Sequence, residues 1–224
     1  MDIKHYYSSR GSYLREHKKY FSAEQLATEV KFLVKALKLT RKDKIIDLAC
    51  GHGRHTIELN SKGLDVDGLD FSGHLLKIAQ SRTQAQGLAI NFYKQDVQNI
   101  KLTKRYNKAF MFFSEFGLLD PNKVLKSVRR ILKPGGLFLL DCDSVFRLIN
   151  YLRIHSASKD TFDFETMKLI GKHGGSKGVQ YYTPPELVAL FERHGFRMQA
   201  LYGNYMAAKL DPNSKRIILV GRVI

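Results

Sequence analysis

Apolar positions recur along this chain with two alternating periods. Phe21, Leu26, Val30, Phe32, Leu33, Ala36 and Leu37 fall at helical spacing behind Ser22, a good helix cap, and predict an amphipathic helix. Short unbroken apolar runs follow. Lys44–Ala49 reads as a buried strand that breaks into a glycine turn at Cys50-Gly51-His52-Gly53. Beyond it the pattern predicts a helix over 54–61, a strand over Leu64–Leu69 and a helix over Ser72–Ala85. Strands over Ile90–Lys94 and Lys108–Phe113, a helix over Pro121–Leu132 and, past Pro134-Gly135-Gly136, a strand over Leu137–Asp141 complete the run. Strand and helix in alternation imply an α/β fold, a doubly wound and mostly parallel sheet with helices on both faces.

The rhythm breaks over 144–182, where the residues are more polar and a glycine-rich tract runs from Gly171 to Gly178. This stretch is expected to cover the fold, with the glycine tract either a mobile lid or a solvent loop. Thr183 and Glu186 then have capping-box spacing ahead of a helix carrying Leu187, Leu190 and Phe191. Phe196–Tyr202 and Lys215–Val223 read as closing strands, antiparallel because no crossover helix lies between them. With no repeat and no linker, the 224 residues read as a single domain. Its expected parts are an N-terminal helical segment (1–43), a core (44–143), a covering insertion (144–182) and a closing helix with strands (183–224).

Composition narrows the class. With 44% apolar residues the chain can bury a core, which excludes intrinsic disorder. Lys and Arg number 37 against 21 Asp and Glu, a net charge of +16, and a basic surface attracts nucleic acid, anionic lipid or acidic small molecules. Residues 45–100 are the exception, with five basic and six acidic side chains. Cys50 and Cys142 have no paired spacing, so neither a disulfide framework nor a structural zinc site is expected, and a reducing cytoplasm fits. Met1–Tyr7 lacks the apolar stretch of a secretion signal, and no apolar run approaches the ~20 residues of a membrane helix, so no membrane association is expected.

In an open α/β sheet, ligands bind beyond the carboxyl ends of the strands, where the first strand turns into its helix. Here that turn is Asp47-Leu48-Ala49-Cys50-Gly51-His52-Gly53-Arg54. A dinucleotide fingerprint would place a third glycine or alanine at position 56, which is Thr56, so the NAD reading is weakened. What remains, D-x-x-x-G-x-G, resembles the first motif of the class I S-adenosylmethionine-dependent methyltransferases. The resemblance extends over nearly the whole chain. Asp70 ends the second strand, Asp96-Val97 follows the third, and Leu132-Lys133-Pro134-Gly135-Gly136 precedes the fifth. The closing Leu201-Tyr202-Gly203-Asn204-Tyr205, Asp211-Pro212 and Arg216–Val220 look like the tail of a bacterial small-molecule subgroup.

The resemblance implies a Rossmann-like seven-stranded sheet and S-adenosylmethionine as cofactor. It implies that Asp70 holds the ribose hydroxyls and Asp96 the adenine amine. A diol suits a carboxylate that accepts two hydrogen bonds, and a flat base suits an apolar sandwich, which Phe71 and Val97 supply. Gly51 and Gly53 let the backbone approach the ligand, and the Cys50 carbonyl and Asp47 are candidates for the ammonium group. Asp47 also reads as a support of the turn, Asp96 as an ordinary helix cap and Asp67 as a surface residue. Cys50 reads as a small packing residue. Arg54 and His55 either assist the cofactor or form a solvated helix face.

The segment after the fourth strand, Phe112-Phe113-Ser114-Glu115-Phe116-Gly117-Leu118-Leu119, lines methionine and acceptor in the resembling family. Phe113 is its cofactor candidate. Neither the Pro-Pro-aromatic signature of amino-methyltransferases nor the Pro-Cys of cytosine-C5 enzymes occurs there. Candidate bases are Glu115, Asp141 and His173, with Asp143 and His155 as further titratable groups and Cys142 as a core residue. Two aspartates alone make a poor metal site, so no metal is expected. Tyr13 and Tyr20 are candidates to close over the cofactor. The expected reaction is in-line methyl transfer to oxygen or nitrogen of a small molecule. The alternative is an RNA or DNA methyltransferase that uses the basic patches Lys101–Lys108 and Lys123–Lys133.

Overall fold

Neighbouring residues of the buried strands feed two separate cores. In β1 (Lys44–Leu48), Ile45 joins the cluster of Phe32, Leu33 and Leu37 from α3 (Ala23–Leu37). Ile46 and Leu48 join Val124, Val128 and Ile131 from α6 (Pro121–Ile131). Because successive strand side chains point to opposite faces, a strand buried on both faces needs an unbroken apolar run, and four of the five β1 residues are buried. These features come from a computed structural model, which describes residues 3–18, 21–112, 116–154, 161–171 and 175–224.

The main sheet has seven strands in the order β3-β2-β1-β4-β5-β10-β9. β2 (Asp65–Asp70), β3 (Phe92–Lys94), β4 (Tyr106–Met111) and β5 (Leu132–Asp143) pair in parallel around β1. β10 (Arg216–Val223) runs antiparallel between β5 and β9 (Phe196–Tyr202), as the absence of a crossover helix required. The strand order reverses between β1 and β4, which is where such a sheet opens a crevice at its carboxyl edge. The connecting helices are capped by their own sequence. The Ser22 Oγ accepts from Gln25 N at 3.1 Å at the head of α3, and the Ser72 Oγ accepts from Leu75 N at 3.3 Å at the head of α5 (Gly73–Ala85). Glu186 Oε2 accepts from Thr183 N at 2.7 Å at the head of α8 (Pro184–Arg193).

The structure departs from the expected pattern in three places. Leu132, expected to end α6, instead pairs with Tyr106 as the first residue of β5. The covering insertion contains a helix, α7 (Val145–Ile154), and a three-stranded antiparallel sheet, β6 (Thr161–Asp163), β7 (Lys168–Gly171) and β8 (Gly175–Gln180). Leu148, Phe162 and Leu169 make its small core, and the described part of the glycine tract lies in β7 and β8. Asp67, expected at the surface, is buried and accepts from Tyr106 Oη at 2.8 Å, Lys104 Nζ at 2.6 Å and Asn91 Nδ2 at 3.0 Å. Three donors from later strands and loops make that burial tolerable.

The insertion is seated on the core at one tight point. A Cβ on Gly117, in the short turn Phe116–Leu118, would lie 2.0 Å from the Gln180 carbonyl oxygen, so only glycine lets β8 rest there. Among the described residues no helix is long and apolar enough to cross a membrane.

Candidate functional site

The carboxyl ends of β1 to β5 border a cavity of about 210 Å3 at the point where the strand order reverses. Ala49 and Gly51 line it after β1, Asp70 and Phe71 at the end of β2, Asp96 and Val97 beyond β3. Ala49, Gly51 and Gly53 all have positive φ (56°, 56° and 76°), which turns the chain sharply between β1 and α4 (Arg54–Ser61). For Ala49 that conformation costs roughly 1 kcal/mol, held in place by the packed turn around it. Gly53 is also fixed by space, since a Cβ there would come within 2.9 Å of the Ala79 Cβ.

Asp70 is the best-held charge of the cavity. Its Oδ2 accepts from Gly51 N at 2.8 Å and its Oδ1 from Ser72 N at 2.7 Å, so the turn after β1 and the start of α5 both orient it. Burial raises its carboxyl above the usual range, against those backbone bonds. Asp96 is exposed on the same cavity and accepts from Gln98 N at 2.9 Å, so it caps the short turn Val97–Asn99 while facing the ligand space. Tyr7 lies edge-on to Phe71 at 5.5 Å, and the Ser72 Oγ donates to the Tyr7 carbonyl at 2.7 Å, which ties the N-terminal segment over this end. Tyr13 and His17 also line the cavity.

Asp47, Cys50 and Gly53 lie behind the turn, outside the cavity lining. Asp47 is buried and accepts from Thr56 Oγ1 at 2.7 Å, and burial pushes its carboxyl up to about 7. Thr56, the residue that breaks the dinucleotide fingerprint, is therefore the partner that buried carboxylate requires. The Cys50 carbonyl accepts from Gly53 N at 3.0 Å inside the turn, and burial raises the Cys50 thiol.

Arg54 and His55 do not form a solvated face. His55, buried, and Arg54, largely buried, pack against Glu29 of α3, whose Oε2 lies 2.6 Å from Arg54 Nη1 and 2.9 Å from His55 Nε2. Gln25 Nε2 donates to the same carboxylate at 2.9 Å. Burial opposes ionisation of Glu29, but the hydrogen bond from His55 and the charges of the His55 and Arg54 side chains when protonated outweigh it and bring the carboxyl below its usual range, with Arg54 the cation that remains at neutral pH. Burial pushes His55 down to about 4, so it is neutral at physiological pH. This cluster clamps α3 to the first turn of α4 and stiffens the glycine turn from behind.

The far end of the cavity is built from guanidinium and carboxylate groups. Arg216 of β10 donates from Nε to Asp141 Oδ1 at 2.7 Å and from Nη1 to Asp143 Oδ1 at 2.5 Å. Arg147 of α7 donates to that same Asp143 oxygen at 2.9 Å. Tyr205 Oη donates to Asp141 Oδ2 at 3.1 Å, and burial followed by the Asp141 charge keeps the tyrosine hydroxyl protonated. Asp143, Arg147 and Arg216 line the cavity, whereas Asp141 is fully buried beneath it. Burial pushes the neighbouring Cys142 thiol up to about 12, so it is no nucleophile.

Phe113, Glu115, His155, His173 and Tyr20 lie outside the described residues. Glu29, Arg147, Arg216 and Tyr205 were not among the candidates read from the sequence, although the closing motif contains two of them. Among the described residues no group of three or more potential ligands could hold a metal ion.

Three comparisons with known proteins fit this geometry. A family model described as a methyltransferase domain matches residues 45–136. A Bacillus subtilis (strain 168) protein with a general methyltransferase designation is 34% identical over 115 residues, which are 49% of this chain and 46% of that protein. The chain thus spans less than half the length of that relative. The ubiquinone biosynthesis O-methyltransferase of Coxiella burnetii is 28% identical over 168 residues, 74% of this chain and 68% of that one. Among solved structures, an S-adenosylmethionine-dependent methyltransferase from Clostridium acetobutylicum superposes with a TM-score of 0.73 at 17% identity, covering 95% of this chain and 99% of that one. With the D-x-x-x-G-x-G turn at the strand-order reversal and a buried aspartate closing β2, residues 45–136 match a methyltransferase domain and the chain has the fold of S-adenosylmethionine-dependent methyltransferases.

Proposed function

We propose that this protein transfers a methyl group from S-adenosylmethionine to an oxygen or nitrogen of a small-molecule acceptor. Asp70 carries the reading. Two backbone N–H groups fix its carboxylate in a buried position on the cavity, and each oxygen keeps a lone pair for a ribose hydroxyl. Phe71, Val97 and the exposed Asp96 line the same end and match a flat apolar base with one amine donor. Ala49 and Gly51 present bare backbone, where the methionine part can approach closely. The cofactor, when bound, supplies an activated methyl group on a positively charged sulfur.

The chain's own contribution is alignment and shielding. Tyr7 and Tyr13 narrow the cavity over Phe71, and the insertion, seated on Gly117, walls the acceptor side. Holding donor and acceptor in line can account for much of the acceleration of such a displacement. A small-molecule acceptor is supported by this cover built from the chain itself, and by the ubiquinone-biosynthesis relative that aligns with both the core and part of the insertion. Methyl transfer from labelled S-adenosylmethionine to a cell extract divided into metabolite, nucleic-acid and protein fractions tests the reading. Label is expected in the metabolite fraction, and its absence there refutes the assignment.

One observation favours a second reading. The exposed side of α6 carries Lys123, Lys126 and Arg130, continued by Lys133, with no acidic residue within the helix. A polyanion docked along that stripe would bring label into the nucleic-acid fraction, with binding that weakens steeply as salt rises.

A further inference from the structure

We propose that the acceptor bears a carboxylate and that Arg147 is the residue that selects it. The inference rests on the methyl-transfer reading and concerns the end of the cavity away from Asp70. Three charged residues line that end: Asp143, Arg147 and Arg216. Asp143 is the one carboxylate among them, and a single oxygen of it already accepts from both guanidinium groups. Asp141 lies beneath, fully buried and held by Arg216 and Tyr205. A cationic acceptor that reached Asp143 would have to sit beside two guanidinium groups already paired to it.

An anion meets the opposite situation. Arg216 is locked by two carboxylates and cannot swing, whereas Arg147 sits on the first turn of the insertion with 49% of its side chain exposed. Arg147 gives Asp143 a single N–H, so most of its planar donor fork remains for a ligand. That fork matches a carboxylate in a two-point contact, a geometry that a lysine ammonium cannot reproduce. Because α7 begins immediately beyond β5, the arginine stands at the junction of insertion and core, on the lining of the cavity.

The test uses the intact chain and the small-molecule pool of an extract, separated by ion exchange into anionic, neutral and cationic fractions before the reaction. Labelled methyl is expected with the anionic fraction, and carbodiimide amidation of that fraction is expected to abolish acceptance. Arg147→Gln should raise the acceptor KM about tenfold or more, with kcat and S-adenosylhomocysteine affinity within about twofold, and Arg147→Lys should fall between. The exposed position of Arg147 keeps both variants folded. Acceptance confined to the neutral or cationic fraction, acceptance that survives amidation, or an unchanged KM in Arg147→Gln overturns the inference. Transfer to none of the three fractions by protein that still binds S-adenosylhomocysteine refutes the small-molecule reading itself, a different failure from the other three.

Discussion

The two ends of the cavity are built in opposite ways. At the cofactor end, Asp70 is held by backbone N–H groups of Gly51 and Ser72, donors that exist whatever side chains surround them. At the β5 end, Asp141 and Asp143 are held by side chains, Arg216, Arg147 and Tyr205, recruited from α7, β10 and the loop before β10. Backbone donors follow from the path of the chain and tolerate divergence around them. A side-chain network fails when one member changes, and it can be rebuilt for a different ligand. The contrast fits the proposal that the first end recognises the cofactor and the second chooses the acceptor.

The largest expected effect breaks the second end. Arg216→Met leaves Asp141 buried without its cationic partner, which costs about 3–5 kcal/mol of stability. Adding Asp141→Asn should recover a large part of it. Thermal unfolding of the single and double variants measures this, and equal melting temperatures for wild type and Arg216→Met would show that the pair contributes nothing.

A change at the first end should instead spare the fold. Asp70→Ala is expected to weaken S-adenosylhomocysteine by about a hundredfold, in line with two charge-assisted hydrogen bonds. Asp96→Asn, at an exposed carboxylate, should lose less than about tenfold. Calorimetry decides the order. If Asp96→Asn lost more than Asp70→Ala, the base rather than the ribose would anchor the cofactor.

The smallest effect concerns the support behind the glycine turn. Burial pushes both His52 and His55 down to about 4. The unfolded chain therefore binds more protons than the fold between about pH 4 and 6.5, and these groups make stability rise with pH across that window. Asp47, raised to about 7, acts in the reverse direction, and its contribution is lost as pH climbs from about 4 to 7. Asp70, also raised by burial, acts in the same direction as Asp47, so the slope is the balance of the four groups, and His55→Gln should lower it by up to about 1.4 kcal/mol per pH unit. Urea unfolding at pH 5 and 6.5 reads the slope. An unchanged slope in the variant would mean that His55 is protonated in the fold.

The cofactor end was largely legible in the sequence and the β5 end was not. Gly51, Asp70, Phe71, Asp96 and Val97, read from their places after the short apolar strands, line the cavity, whereas Asp47, Cys50 and Gly53, read the same way, lie behind the turn. The sequence left open whether Arg54 and His55 faced solvent, since nothing within a helical turn shows that Glu29, 26 residues before His55, lies opposite. Asp67 looked like a surface charge because its partner Tyr106 is 39 residues away on a strand that is not its neighbour. Asp141, at the end of the fifth strand, and Arg216, in the closing motif, stand 75 residues apart, and nothing local to either identified the other as its partner. The insertion looked irregular because its strands are short and its core holds three buried apolar side chains, too few for a clear period.

Local chemistry thus settled which segments become strands and helices, where the chain turns on positive φ and which carboxylates end the strands. These depend on backbone sterics and on periods of a few residues, which any stretch of sequence carries within itself. Tertiary structure alone decided which buried charges face one another, that Gly117 is the seat of the insertion and that two arginines share Asp143 at the β5 end of the cavity. Such pairings join elements far apart in the chain, and the free energy of a buried charge depends on the partner that folding brings to it.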